Sequence, residues 1–89
     1  MNITVDISMY PLDVDYKPAI KAFIRHLRQC DGLTLVTNQM STQVRGDFGS
    51  VMTAVNTCMK SSMEQHDKVV FVSKCLNGDL EIGRHPTID

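Results

Sequence analysis

Residues 3–10 alternate strictly, and that period of two is the tightest constraint the chain sets on its own fold. Ile3, Val5, Ile7 and Met9 fall on one side, Thr4, Asp6, Ser8 and Tyr10 on the other. This is the pattern of a strand with one face against a core. Pro11 ends the run, because proline has no N–H to give to a ladder. The period then changes. Ile20, Phe23, Ile24 and Leu27 keep the i, i+3, i+4, i+7 spacing of an apolar helical stripe, with Lys17, Lys21, Arg25 and Arg28 outside it. Asp13 or Asp15 is placed to cap this helix, and its first turn tolerates Pro18. Asp31-Gly32 closes it through the left-handed conformation that glycine accepts most easily.

Two short strands follow, at residues 33–38 and 40–46, around an Asn38-Gln39 loop. A two-residue loop sets Thr37 opposite Met40, Leu35 opposite Thr42 and Leu33 opposite Val44 on the buried face. Thr34, Val36, Ser41, Gln43 and Arg45 then share the other. Gly46-Asp47 opens a second helix with Asp47 as its N-cap, and Gly46 is assigned to the strand-to-helix turn. Val51, Val55, Cys58 and Ser62 form one line along that helix, flanked by Met52, Met59 and Met63. Residues 68–76 make the last strand. Its Val69–Val72 core is apolar on both faces, so a partner is expected to cover the side away from the helices.

The order β-α-β-β-α-β is a split βαβ pattern of ferredoxin-like, α+β type. Right-handed crossovers put both helices on one face of a four-stranded antiparallel sheet. Residues 1–78 are expected to form this single domain, and residues 79–89 a polar C-terminal tail with no assigned structure. Within the sheet the first and third strands are expected to run parallel. That places Tyr10 near Arg45-Gly46 and Ser41 at the opposite end, four residues or roughly 13 Å away. It also makes Arg45 the ion-pair partner of Asp6.

With 89 residues and 43% apolar side chains the chain supports one small core, for which help from a second subunit is plausible. The net charge is −1 and the basic residues are scattered, which argues against nucleic acid. Cys30, Cys58 and Cys75 lie far apart with no C-x-x-C pair, as expected of free thiols in a reducing compartment. No signal-peptide region and no apolar run of about 20 residues occurs. The expectation is a cytoplasmic, soluble protein without a membrane partner.

The chemistry-bearing residues point away from catalysis. His26, His66, His85 and the cysteines lack the spacing of metal ligands, so no metal and no cofactor is expected. A copper-carrying relative of this fold needs paired cysteines after the first strand, where this chain has Pro11-Leu12-Asp13. Ser8, Ser41 and Ser50 have no histidine in the same segment to act as base. Cys75, within a strand, is expected to be packed. Binding fits better. Tyr10, Met40, Phe48 and Phe71 are candidate walls for a flat heteroaromatic ring, and Ser8, Asn38, Ser41, Thr42 and Gln43 are candidate hydrogen-bonding groups. Asp6 or Asp47 is a candidate partner for a cationic ring.

The segments Ile7-Ser8-Met9-Tyr10-Pro11-Leu12, Ile20/Phe23-Ile24/Leu27, Val36-Thr37 and Met40-Ser41-Thr42-Gln43-Val44-Arg45-Gly46 together resemble the thiamine-binding YkoF-like family, formerly a family of unknown function. They span the first half of the chain, and Met-Ser-Thr-x-Val-x-Gly is the most specific among them. The resemblance implies a ferredoxin-like domain that binds thiamine or its hydroxymethylpyrimidine half without turning it over, in vitamin uptake, salvage or sensing. One repeat unit per chain implies a homodimer or homotetramer. The ligand-binding residues expected are Ser8, Tyr10, Asn38, Met40, Ser41 and Thr42. Two other classes compete: an assembly module without a ligand, and a small dimeric ferredoxin-like enzyme using Asp6, His26 or a cysteine.

Overall fold

The computed structural model describes residues 1–88; Asp89, the end of the tail, lies outside the described residues. The elements are β1 (Asn2–Pro11), α1 (Lys17–Arg28), β2 (Thr34–Thr37), β3 (Thr42–Asp47), α2 (Phe48–Gln65) and β4 (Val69–Leu76). The sheet runs β2-β3-β1-β4 with every neighbouring pair antiparallel. This is the ferredoxin-like α+β arrangement. β1 lies in the middle, and its alternation buries Ile3, Val5, Ile7 and Met9 beneath the helices. Ala19, Phe23 and Leu27 of α1 and Val51, Ala54, Val55 and Cys58 of α2 complete that core, with Val44 from β3.

The antiparallel pairing of β1 and β3 overturns the expected parallel one. A right-handed crossover through α1 makes β2 parallel to β1, and the hairpin then reverses β3. Thr42 thus lies opposite Ile7, and Asp47 opposite Asn2. Asp6 faces Gln43 rather than Arg45. Arg45 instead pairs with Asp79 (3.5 Å), and Asp6 with Lys74 (3.8 Å).

The hairpin register differs by two residues from the expected one. Thr37 pairs with Thr42 and Leu35 with Val44, so the loop holds four residues, 38–41. Asn38 explains the wider turn. Its Oδ1 accepts from the N–H groups of Met40 (2.8 Å) and Ser41 (3.1 Å), and its own N–H donates to Ser41 O (3.0 Å). A slip of two leaves the side chains of the paired residues on their expected faces, but Met40, expected on the buried face opposite Thr37, falls in the loop and is 84% exposed.

Local caps differ too. α1 has Tyr16 at its N-cap with no side-chain bond, while Asp13 Oδ1 accepts from Asp15 N–H in a turn ahead of it. The helix ends at Arg28, and Gly32 (φ +77°) makes the turn after it. Asp47 does cap α2, accepting from Gly49 N–H at 3.1 Å. Gly46 sits in β3, where an added Cβ would come within 3.1 Å of Gly32 O and 3.2 Å of Leu33 Cδ2. Close backbone approach is its role rather than the turn.

The face of the sheet away from the helices carries Thr4, Asp6, Ser8 and Tyr10. Residues after β4 fold back over one end of it. Thr4 Oγ1 donates to Gly78 O (2.7 Å) and accepts from Leu80 N–H (3.1 Å), while an Arg45 guanidinium N–H donates to Leu80 O (2.7 Å). The rest of this face is open, with Val70 44% and Val72 54% exposed. Cys75 is exposed rather than packed, because the helices cover Val69 and Phe71 but not the second half of this edge strand.

Candidate functional site

β1 is longer than its neighbour. Its pairing with β3 stops at Ile7, whereas its pairing with β4 continues to Pro11. Residues 8–11 therefore have a free edge, and the 38–41 loop curls beside it. Between that edge, the loop and the first half of α1 lies a pocket of about 400 Å³, within the size range of small-molecule sites.

All six residues singled out from the sequence line this pocket: Ser8, Tyr10, Asn38, Met40, Ser41 and Thr42. The antiparallel sheet brings Tyr10 and Ser41 to the same end, removing the expected separation. Thr42 is buried at the base, its hydroxyl 3.1 Å from that of Thr37. The Ser8 hydroxyl lies 3.5 Å from Met40 O. Ser41 Oγ donates to Asp6 Oδ1 (2.7 Å), which also accepts from Gln43 Nε2 (2.9 Å). These bonds pin the end of the loop to β1. The Ser41 hydroxyl, then the Gln43 amide, holds the Asp6 carboxyl below its ordinary range, with a smaller contribution from Lys74 and burial acting in opposition.

Other proposed wall residues lie elsewhere. Phe71 packs on Phe23 (ring centroids 4.9 Å apart) under the helices, outside the lining. Phe48 and Asp47 belong to the far end of the sheet, where Phe48 N–H donates to Met1 O. Asp6 and Gln43 do not line the pocket either. The walls come instead from Tyr16 ahead of α1 and from Ile20, Phe23 and Ile24 on it. The three α1 residues were legible only as core stripe; Tyr16, an aromatic beside a strand end, carried no periodic signal.

Among the described residues, those that line the pocket include no charged side chain, no histidine and no cysteine. Cys58 is buried next to Cys30, and burial pushes its thiol up to about 12, which makes it a poor nucleophile. Among the described residues no group of three or more His, Cys, Asp or Glu side chains is placed to hold a metal ion. No helix among them is long and apolar enough to cross a membrane.

The family model described as thiamine-binding protein matches residues 5–76. No curated protein matches the chain. Among solved structures, a protein of Streptococcus pneumoniae is similar at 21% identity and TM-score 0.82, over 90% of each chain. A hypothetical protein of Methanocaldococcus jannaschii is 22% identical, with TM-score 0.75 over 98% of this chain and 88% of that one. A Thermotoga maritima protein assigned provisionally to thiamine biosynthesis or salvage is 19% identical, with TM-score 0.74 over 97% and 90%. At these identities the likenesses establish the fold.

Proposed function

The chain belongs to the thiamine-binding protein family, and on that premise we propose that it binds thiamine or its hydroxymethylpyrimidine half without turning it over. The observation that carries this reading is the pocket itself, an apolar cleft fringed by hydroxyl and amide groups at Ser8, Asn38, Ser41 and Thr42. A flat heteroaromatic ring needs apolar walls and a few fixed donors and acceptors. Tyr10 and Tyr16 line the pocket, and aromatic rings attract a cation such as a thiazolium. The uncharged lining gives a diphosphate no cation to pair with, which favours an unphosphorylated ligand. Membership of a family of binding proteins supports a binder rather than a catalyst.

The test is a thermal-shift titration with thiamine, its phosphates and hydroxymethylpyrimidine. At 100-fold over the dissociation constant, binding stabilises by about 2.7 kcal/mol, a rise of roughly 10–20 °C for a chain of this size. A flat response to every compound overturns the proposal.

The open sheet face supports a homodimer or homotetramer. Tyr10, Val70 and Val72 form an exposed apolar strip on adjacent strands, and a second copy packed face to face would cover it. This strip is also what favours the competing reading, an assembly module without a ligand. In sedimentation experiments Val72→Lys is expected to give monomers from an oligomeric parent; a monomeric parent refutes the assembly. We place the protein in the cytoplasm, where its free Cys30, Cys58 and Cys75 stay reduced, in uptake, salvage or sensing of the vitamin.

A further inference from the structure

The edge of β1 at the pocket carries a hydrogen-bonding pair that the sheet does not use. Leu12 N–H donates to Lys68 O at 3.0 Å, one step beyond the Pro11–Val69 pair. That bond fixes the alternation. Even-numbered residues of β1 aim their backbone groups at β4, so odd-numbered ones aim at β3. The odd series runs Ile3 opposite Gly46, Val5 opposite Val44 and Ile7 opposite Thr42. Phe48 N–H donating to Met1 O, at 2.9 Å, continues the series at the other end.

The next member is Met9 opposite Met40, and there the ladder breaks. Met40 N–H is turned onto Asn38 Oδ1 (2.8 Å), and Met40 O lies by the Ser8 hydroxyl (3.5 Å). Among the described residues no loop, turn or side-chain bond reaches the Met9 N–H or C=O, and its place in the odd-numbered series aims both groups away from β4. Yet Met9 is only 8% exposed and lines the pocket. The side chain accounts for that burial, and a backbone pair that the sheet leaves unused at a pocket wall is open to the donors and acceptors of a ligand. Pro11, the next residue aimed the same way, has no N–H, so this edge of the pocket offers a single backbone donor, with the Met9 acceptor beside it.

We infer that the Met9 backbone pair is the specificity-determining contact of the pocket and reads the amino edge of a 4-aminopyrimidine. The inference rests on the ligand reading above and says how that ligand is recognised. An extended residue projects its N–H and C=O side by side. A 4-aminopyrimidine presents the complement, a ring nitrogen that accepts next to an exocyclic amino group that donates. Met9 N–H donates to the ring nitrogen and Met9 C=O accepts from the amino group, replacing the bonds that Met40 would have made. Thr37, Asn38 and Thr42 border the ring without supplying this edge.

The experiment is a proton–nitrogen correlation titration of the labelled protein with hydroxymethylpyrimidine, repeated with the analogue lacking the 4-amino group. The Met9 amide proton is expected to move downfield and its hydrogen exchange to slow at least about 10-fold. The des-amino analogue is expected to bind about 10-fold more weakly or worse, one lost bond plus an acceptor left unpaired. Saturable binding with the Met9 amide unmoved, or equal affinity for the two compounds, overturns the contact while leaving the ligand reading standing. A spectrum that neither compound perturbs overturns both.

Discussion

Replacing Asp6 by Asn tests whether the carboxylate clamp between β1 and the 38–41 loop is as strong as its geometry indicates. Oδ1 accepts from Ser41 Oγ at 2.7 Å and from Gln43 Nε2 at 2.9 Å, and the two donors are themselves 2.9 Å apart. Asparagine keeps the shape and removes the charge. A bond to a charged acceptor contributes about 1.5–3 kcal/mol against about 0.5–1.5 for a neutral one, so two bonds lose about 2 kcal/mol. The Asp6 side chain is about a third exposed, and solvent screening brings the expected loss to about 1 kcal/mol. Lys74, 84% exposed, adds little. For a chain this short the loss lowers Tm by roughly 4–8 °C at pH 7.

The pH dependence gives the sharper check. The Asp6 pKa is lowered in the fold by Ser41 and Gln43. The charged clamp therefore stabilises fully above the unfolded carboxylate value of about 3.9 and is lost as pH falls through the folded value. Protonated Asp6 resembles Asn, so the Tm curves of parent and Asp6→Asn should converge below about pH 4. Calorimetric scans from neutral pH to about pH 2.5 would show this. A gap that persists unchanged at low pH, or no gap at pH 7, refutes the clamp.

Two further outcomes follow from buried and terminal polar groups. Among the described residues Ser62 Oγ is buried without a hydrogen-bond partner, so Ser62→Ala is expected to leave stability unchanged or raise it by up to about 1 kcal/mol in urea unfolding; a loss above about 1 kcal/mol would reveal a partner for this hydroxyl. Truncation after Gly78 removes the Leu80 bonds to Thr4 and Arg45, at a cost of about 1–2 kcal/mol. We propose that residues 1–78 still fold cooperatively, and a broad, non-cooperative melt of the truncated chain would place the domain boundary later.

What the sequence made legible is what depends on side-chain period. The alternation of Ile3 to Tyr10 and the stripe of Ile20 to Leu27 each specify a face, and the faces held even where the hairpin register slipped by two. Ser8, Tyr10, Asn38, Met40, Ser41 and Thr42 were gathered from two segments and do meet at one pocket. Strand direction was less legible. Nothing in residues 42–47 marks whether they run with or against residues 2–11; the crossover decides it, and with it the partners of Asp6 and Arg45. The tail was opaque for a different reason. Gly78 and Leu80 contact Thr4 and Arg45 through backbone groups, and Asp79 reaches Arg45 and Asn2 with its carboxylate; none of these leaves an apolar periodicity to read.

The site owes its existence to a mismatch of lengths. β1 has ten residues and β3 six, so the surplus of β1 cannot be paired on that side. A tight two-residue loop at Asn38-Gln39 would have carried the hairpin further along β1 and left Met40 free to pair with Met9. Asn38 prevents this by binding the N–H groups of Met40 and Ser41 with its side chain, and the Asp6–Ser41 bond fixes the loop where it turns away. The residues that shape the pocket thus act by denying the backbone its usual partner. Met9, by its side chain a core residue, becomes a binding residue by its backbone, and no substitution pattern at position 9 alone would disclose that role.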